Sequence, residues 1–99
     1  MGGMSNTKKY MSAVASTGCV LCREFDGIRT PGHVHHVAEG SAPRSDFLTV
    51  CLCPDHHTGN VGVHGMGVKA FCRLFRLNNE YHLLELQAKF MLMDGIIKN

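Results

Sequence analysis

The sequence predicts a small α+β domain: a metal-stabilised core of two strands and a short helix, with helices on either side. Three observations carry this. Two short pairs of metal-binding residues, Cys19-x-x-Cys22 and Cys53-x-x-His56, recur some thirty residues apart. Two segments of strand character lie between them, and later apolar residues recur with helical spacing. Finally, 99 residues suit one domain, and 44% hydrophobic against 18% charged residues suits a folded one. With five Phe, two Tyr and no Trp, the apolar core is thin, and a metal is a common supplement in chains this small.

Residues 1–18 form a lead-in. Ser5 or Asn6 caps a helix running to about Ser16, with Tyr10, Met11, Val14 and Ala15 as its apolar face. Gly18 stops it, and Lys8 and Lys9 face solvent. Residues 19–66 hold the chemistry. Cys19-Val20-Leu21-Cys22 reads as a metal knuckle and Thr30–Gly32 as a turn. His33–Val37 is a strand, Glu39–Asp46 a loop, and Phe47–Leu52 a second strand. Pro54 opens a short helical segment, because proline suits the first helical turn. Gly59, Gly62, Gly65 and Gly67 predict a loop after it. Residues 67–99 are a helical pair. Val68, Phe71, Cys72 and Phe75 mark the first helix, and Asn78-Asn79 breaks it. Leu83, Leu84, Phe90 and Met91 mark the second, from about Glu80 to Met93, with a Glu85/Lys89 pair outside and Gly95 at its end.

No apolar run reaches the roughly 18 residues that cross a bilayer, and no cleavable secretory pattern opens the chain, so a cytoplasmic location is expected. An odd cysteine count there argues against a disulfide scaffold. The net charge of +2 is compatible with nucleic acid but does not indicate it.

Five Cys and seven His are the unusual part of the composition, and six of the histidines fall between His33 and His64. Zinc takes four tetrahedral N or S ligands, and two short pairs on separate turns supply them: Cys19, Cys22, Cys53 and His56. The competing readings are metal-free thiols or a redox Cys-x-x-Cys, the latter without a thioredoxin-like βαβ pattern around it. Cys51 is a spare, either a replacement ligand for Cys53 or a buried core thiol. Cys72, on an apolar helix face, reads as core. This leaves His35, His36, His57 and His64 unused by the zinc knuckle. Adjacent histidines on a strand point in opposite directions, so one of His35-His36 can hold a metal while the other faces a substrate. Imidazoles around a divalent ion leave positions open for water and phosphate, and a free imidazole is a base at neutral pH. His82 reads as a surface residue, and His33 shares His35's strand face.

These residues resemble an HNH, or ββα-metal, nuclease of the zinc-stabilised kind, and the likeness spans about Tyr10 to Met91. The matching elements are Cys19-x-x-Cys22, His35-His36, Leu52-Cys53-x-x-His56-His57 and His64. The run Gly59-x-x-Gly62-Val63-His64-Gly65-x-Gly67-x-Lys69-Ala70-Phe71 is similar to the Ref-type phage recombination-promoting nucleases. The resemblance implies a zinc-stabilised ββα-metal (HNH) core with flanking helices. It also implies a metal-dependent DNA endonuclease hydrolysing phosphodiester bonds. By the same resemblance His35 is a metal ligand, His36 the general base and His57 a second ligand. His64 completes the site or touches the phosphate, and Glu39 reaches the ion through water. The implied cofactors are a structural zinc and a catalytic Mg²⁺, Mn²⁺ or Zn²⁺. The implied partners are DNA and a recombinase filament. The chain departs from the pattern in pairing Cys53 with His56 rather than a second Cys, in the glycine-rich loop from His57 to His64, and in its short basic N-terminal segment. DNA contacts are expected from Lys8, Lys9, Arg23, Arg29, Arg44 and Lys69, chiefly to phosphates. The alternative is a zinc-stabilised nucleic-acid- or protein-binding module without catalysis, which would have no use for the second set of imidazoles; a metal-storage or sensor protein is a third reading.

Overall fold

A computed structural model describes residues 5–38 and 44–97. They form a small, compact α+β structure around one antiparallel strand pair. Met1–Met4 and Glu39 lie outside the described residues, as does most of the expected Glu39–Asp46 loop.

Helix α1 spans Asn6–Ser16, as the capping residues predict: the Ser5 hydroxyl accepts from the Lys8 N–H, and Thr17 closes the helix. The chain then turns at Gly18, whose φ of +75° is readily open only to glycine. A short π-helical turn, Cys22–Asp26, follows the first knuckle cysteines. Strand β1 is His33–His36 and β2 is Thr49–Leu52, paired with His35 opposite Val50 and His33 opposite Leu52. Three short helices follow: α2 at Pro54–His57, α3 at Val63–Met66 and α4 at Val68–Leu74. Helix α5, His82–Met93, closes the fold.

β2 is buried along its whole length, which explains its run of apolar side chains. Val50 and Leu52 join the main core with Val20, Leu21, Phe71, Leu83 and Phe90. Cys51 points the other way, against Val14 of α1 and Met91 of α5. The outer edge of β2 is not left bare: the Gln87 side-chain carbonyl on α5 accepts from the Cys51 N–H at 2.9 Å. The Gln87 amide in turn donates to the buried Thr17 hydroxyl at 3.0 Å. A fully buried Gln is tolerated because both ends of its amide are satisfied.

Three expectations are corrected. The glycine-rich stretch is not all loop, because Val63 is buried and anchors one helical turn, α3. Glu85 and Lys89 do not pair: Lys89 reaches Glu24 at 2.7 Å, while Glu85 lies 3.8 Å from His82. Arg23 and Arg29 are not free for phosphates, since both grip Asp94 after α5, at 2.9 and 2.8 Å. Arg23 also lies over the Phe90 ring. These two arginines tie the knuckle segment to the end of α5.

Candidate metal centres

Four side chains from two tight turns converge beside the strand pair. Cys19 and Cys22 flank the buried Val20 and Leu21, whose packing fixes the first turn. Cys53 and His56 bracket the start of α2, where the Cys53 carbonyl accepts from the His56 and His57 N–H groups. Among the four, the Cys22 and Cys53 sulfurs lie 3.8 Å apart. His56 Nδ1 lies 3.4, 3.7 and 3.2 Å from the sulfurs of Cys19, Cys22 and Cys53. A tetrahedron with zinc–sulfur bonds of about 2.3 Å has edges of about 3.8 Å, and its sulfur–nitrogen edges are about 3.5 Å. The four donors therefore already stand at the spacing of a tetrahedral Cys₃His zinc site, and the donor set fits this ion.

The sulfurs are all free thiols. Burial pushes the Cys19 thiol up to about 12 and raises Cys22 as well. Burial also lowers His56, favouring the neutral ring that binds metal. Burial thus favours the protonated form of Cys19 and Cys22, and a bound dication would reverse that preference and take them as thiolates. Cys51 is fully buried on the opposite face of β2 and is not in this set. Cys72 is buried in the main core.

A second group, His35, His57 and His64, lies apart from the first. One nitrogen of each stands within 4.8 Å of the others. The ring centroids form a near-equilateral triangle, with sides of 5.2, 5.1 and 4.8 Å. β1 supplies His35, α2 supplies His57 and α3 supplies His64. Glycines permit this convergence. A side chain at Gly62 would meet the His57 carbonyl, and one at Gly65 would meet the Gly59 carbonyl. The 58–66 segment thus lies flat on α2 and returns His64 to His57.

His57 Nδ1 is buried and has no hydrogen-bond partner among the described residues. Burial, and then the neighbouring His35, His64 and His33, lower its pKa, which favours the neutral ring. An orphaned nitrogen beside two more imidazoles is what an ion-binding site requires, and this set too fits a divalent metal. His33 is exposed with its ring 6.0 Å from His57, outside the triangle.

His36 faces away from His35 on the strand, yet both line one cavity of about 340 Å³ with His57, His64 and Arg44. Its Nε2–H donates to Asp46 at 2.7 Å, which leaves Nδ1 as the acceptor. The Arg44 guanidinium donates to that nitrogen at 3.0 Å. His35 Nε2 meets the buried Glu80 carboxylate at 2.7 Å. A larger cavity of about 590 Å³ adjoins this one through Ala38 and carries Lys69, Arg73, Asn78 and Asn79.

All the sequence-predicted site residues that are described come together, in two groups. Reasoning from sequence missed Asp46 and Glu80. Asp46 sits in a loop ten residues from its histidine, and Glu80 stands 45 residues from His35. Glu80 reads in sequence as an ordinary acid at a helix start, so no local signal marks it. His82, read as a surface residue, is half-buried at the start of α5.

A family model described as recombination enhancement, RecA-dependent nuclease matches residues 4–92. No curated protein and no solved structure matches the chain.

Proposed function

The chain belongs to the RecA-dependent nucleases of recombination enhancement, the match covering residues 4–92 of its 99, and from that premise we propose that it is a metal-dependent DNA endonuclease of HNH type. In this reading residues 19–66 are a zinc-stabilised ββα-metal core: β1, β2 and α2, with a structural zinc held beside them by Cys19, Cys22, Cys53 and His56. Residues 1–18 and 67–99 complete one domain around it. The observation that carries the reading is the second imidazole set. A zinc-stabilised binding module needs Cys19, Cys22, Cys53 and His56. It has no use for three further histidines within ligand distance of one another, beside a fourth that a carboxylate holds.

The geometry supports the following roles. His35, His57 and His64 would hold the catalytic ion, which supplies positive charge against the phosphate and the leaving oxygen. Asp46 holds the His36 ring through Nε2–H, so Nδ1 is the nitrogen that accepts a proton. Arg44 covers Nδ1 in the free protein. A phosphate is a stronger partner for a guanidinium than a neutral ring nitrogen. The scissile phosphate therefore draws Arg44 to itself and uncovers the base. His36 then takes a proton from the attacking water as the water oxygen bonds to phosphorus; the opposite phosphorus–oxygen bond breaks, and the departing sugar oxygen takes a proton from solvent water. Lys69 and Arg73, on the adjoining cavity, meet neighbouring phosphates.

The substrate in this reading is DNA carrying a RecA filament, encountered in the cytoplasm, or the host cytoplasm if the gene is a phage's. No helix among the described residues is long and apolar enough to cross a membrane. The test is cleavage of DNA with and without a RecA filament, in Mg²⁺, Mn²⁺ or chelator. Metal-dependent strand breaks that need the filament are expected. DNA binding without breaks in any metal would replace the enzyme by a binding module.

A further inference from the structure

The mechanism above leaves one buried carboxylate without a role. Glu80 precedes α5 and is 3% exposed; its partner His35 is 5% exposed. Their contact is 2.7 Å, between Glu80 Oε2 and His35 Nε2. We infer that Glu80 is a positioning residue for the second metal site: it fixes His35 in the Nε2–H tautomer and so presents Nδ1 to a divalent ion. This rests on the reading of His35, His57 and His64 as one ligand set.

Three physical points support it. First, imidazole has two nitrogens and gives a metal only the one that carries no hydrogen. A carboxylate accepts and does not donate, so the hydrogen sits on Nε2 and the lone pair on Nδ1. Second, a carboxylate behind a ligating imidazole raises its basicity and locks its ring. Among the described residues only His35 of the three ligands meets a buried carboxylate, so the anchoring is assigned to His35. Third, three neutral imidazoles leave a bound dication's charge uncompensated in a partly buried place. A carboxylate behind the ring offsets part of that charge, and the phosphate of the substrate offsets more.

The placement is built by the fold. His35 lies on the core face of β1, opposite Val50, where a lone polar ring would be costly. The turn between α4 and α5 brings Glu80 to it, and the Leu83 N–H on the next turn donates to the Glu80 carbonyl. A purely structural hydrogen bond would leave metal affinity unchanged, so the test reads both metal and tautomer.

The experiment uses zinc-loaded full-length protein. Long-range ¹H–¹⁵N spectra of the imidazoles should show His35 as the Nε2–H tautomer before any second ion is added. Co²⁺ is then titrated, followed by calorimetry and visible absorption; thiolate charge-transfer bands would report any exchange at the cysteine site. Wild type should bind one Co²⁺ beyond its zinc. Glu80→Gln, which keeps a hydrogen-bonding partner but not the charge, should bind it about 10–100-fold more weakly with unchanged zinc content. In a His35→Ala background, Glu80→Gln should have no further effect. An Nδ1–H tautomer in wild type, equal Co²⁺ affinity in Glu80→Gln, or the same loss without His35 each overturns the inference. Where wild type binds Co²⁺ tightly, such a result leaves the ligand set standing; where wild type binds no second ion, the ligand set itself fails, and the inference with it.

Discussion

Replacing Cys22 by Ser removes one of four donors that already stand at tetrahedral spacing. Serine does not supply a thiolate, and its shorter bond cannot restore the 3.8 Å edge to Cys53. The magnitude follows from what an ion bound to the four donors would hold together. Cys19 and Cys22 flank Val20 and Leu21, which are 0 and 1% exposed and lie in the same core as Leu52 and Phe71. Releasing the turn therefore opens the main core as well as the metal site. Structural zinc contributes about 10–16 kcal/mol to folding in small metal domains. A domain of this size has a net stability of about 5–15 kcal/mol. Losing most of the first term exceeds or matches the second, so Cys22→Ser should be largely unfolded at 25 °C. The assay is a far-ultraviolet circular dichroism melt with zinc content measured on the same sample. Wild type treated with a strong chelator should melt like the variant. Cys51→Ala is the control: its thiol is equally buried but outside the set, so it should keep its zinc and lose only about 0.5–3 kcal/mol. A Cys22→Ser protein that melts at the wild-type temperature, or holds a full zinc, would refute the reasoning.

Other expectations separate folding from chemistry. His36→Ala should keep both fold and zinc, yet lose cleavage by about 10²–10⁴-fold; circular dichroism beside a nicking assay checks both. His57→Ala should also be inactive, but added metal should partly restore it, which it should not do for His36→Ala. Gly62→Ala forces a methyl against the His57 carbonyl, so a metal titration should show weaker binding at the histidine site while the zinc stays. Arg29 and Arg23 hold the Asp94 carboxyl well below the usual carboxylate range. This contribution is therefore fully present above the ordinary carboxylate pKa of about 4 and lost as pH falls below it toward the lowered value. Asp94→Asn should cost about 1–2 kcal/mol at pH 7, moderated by solvent because Arg29 is half-exposed, and the difference from wild type should shrink in acid.

Much of the site was legible because its signals are local. The Cys-x-x-Cys and Cys-x-x-His pairs each span a single turn, so spacing alone states which donors travel together. Adjacent His35 and His36 diverge by strand geometry, which needs no tertiary information. The Ser5 cap and the apolar positions of α1 and α5 are local in the same sense. What was hidden depends on chain returns. Glu80 meets His35 across 45 residues and Arg23 meets Asp94 across 71, and no pattern in either neighbourhood announces the other. Lys89 prefers Glu24 to its helical neighbour because the knuckle packs against α5, a fact of assembly and not of helix spacing. The glycines around His64 read as slack in sequence. In the fold two of them do the opposite, letting the segment pack flat and bringing His64 back to His57.

The central claim is that this chain carries two metal centres with separate work, one holding the fold and one cutting DNA. The most direct measurement counts ions per chain by native mass spectrometry while the second ion is titrated, and follows cleavage of RecA-coated DNA in the same samples. At one zinc per chain the protein should be folded and inactive, and cleavage should rise with occupancy of the second site. Full cleavage at one ion per chain would contradict it.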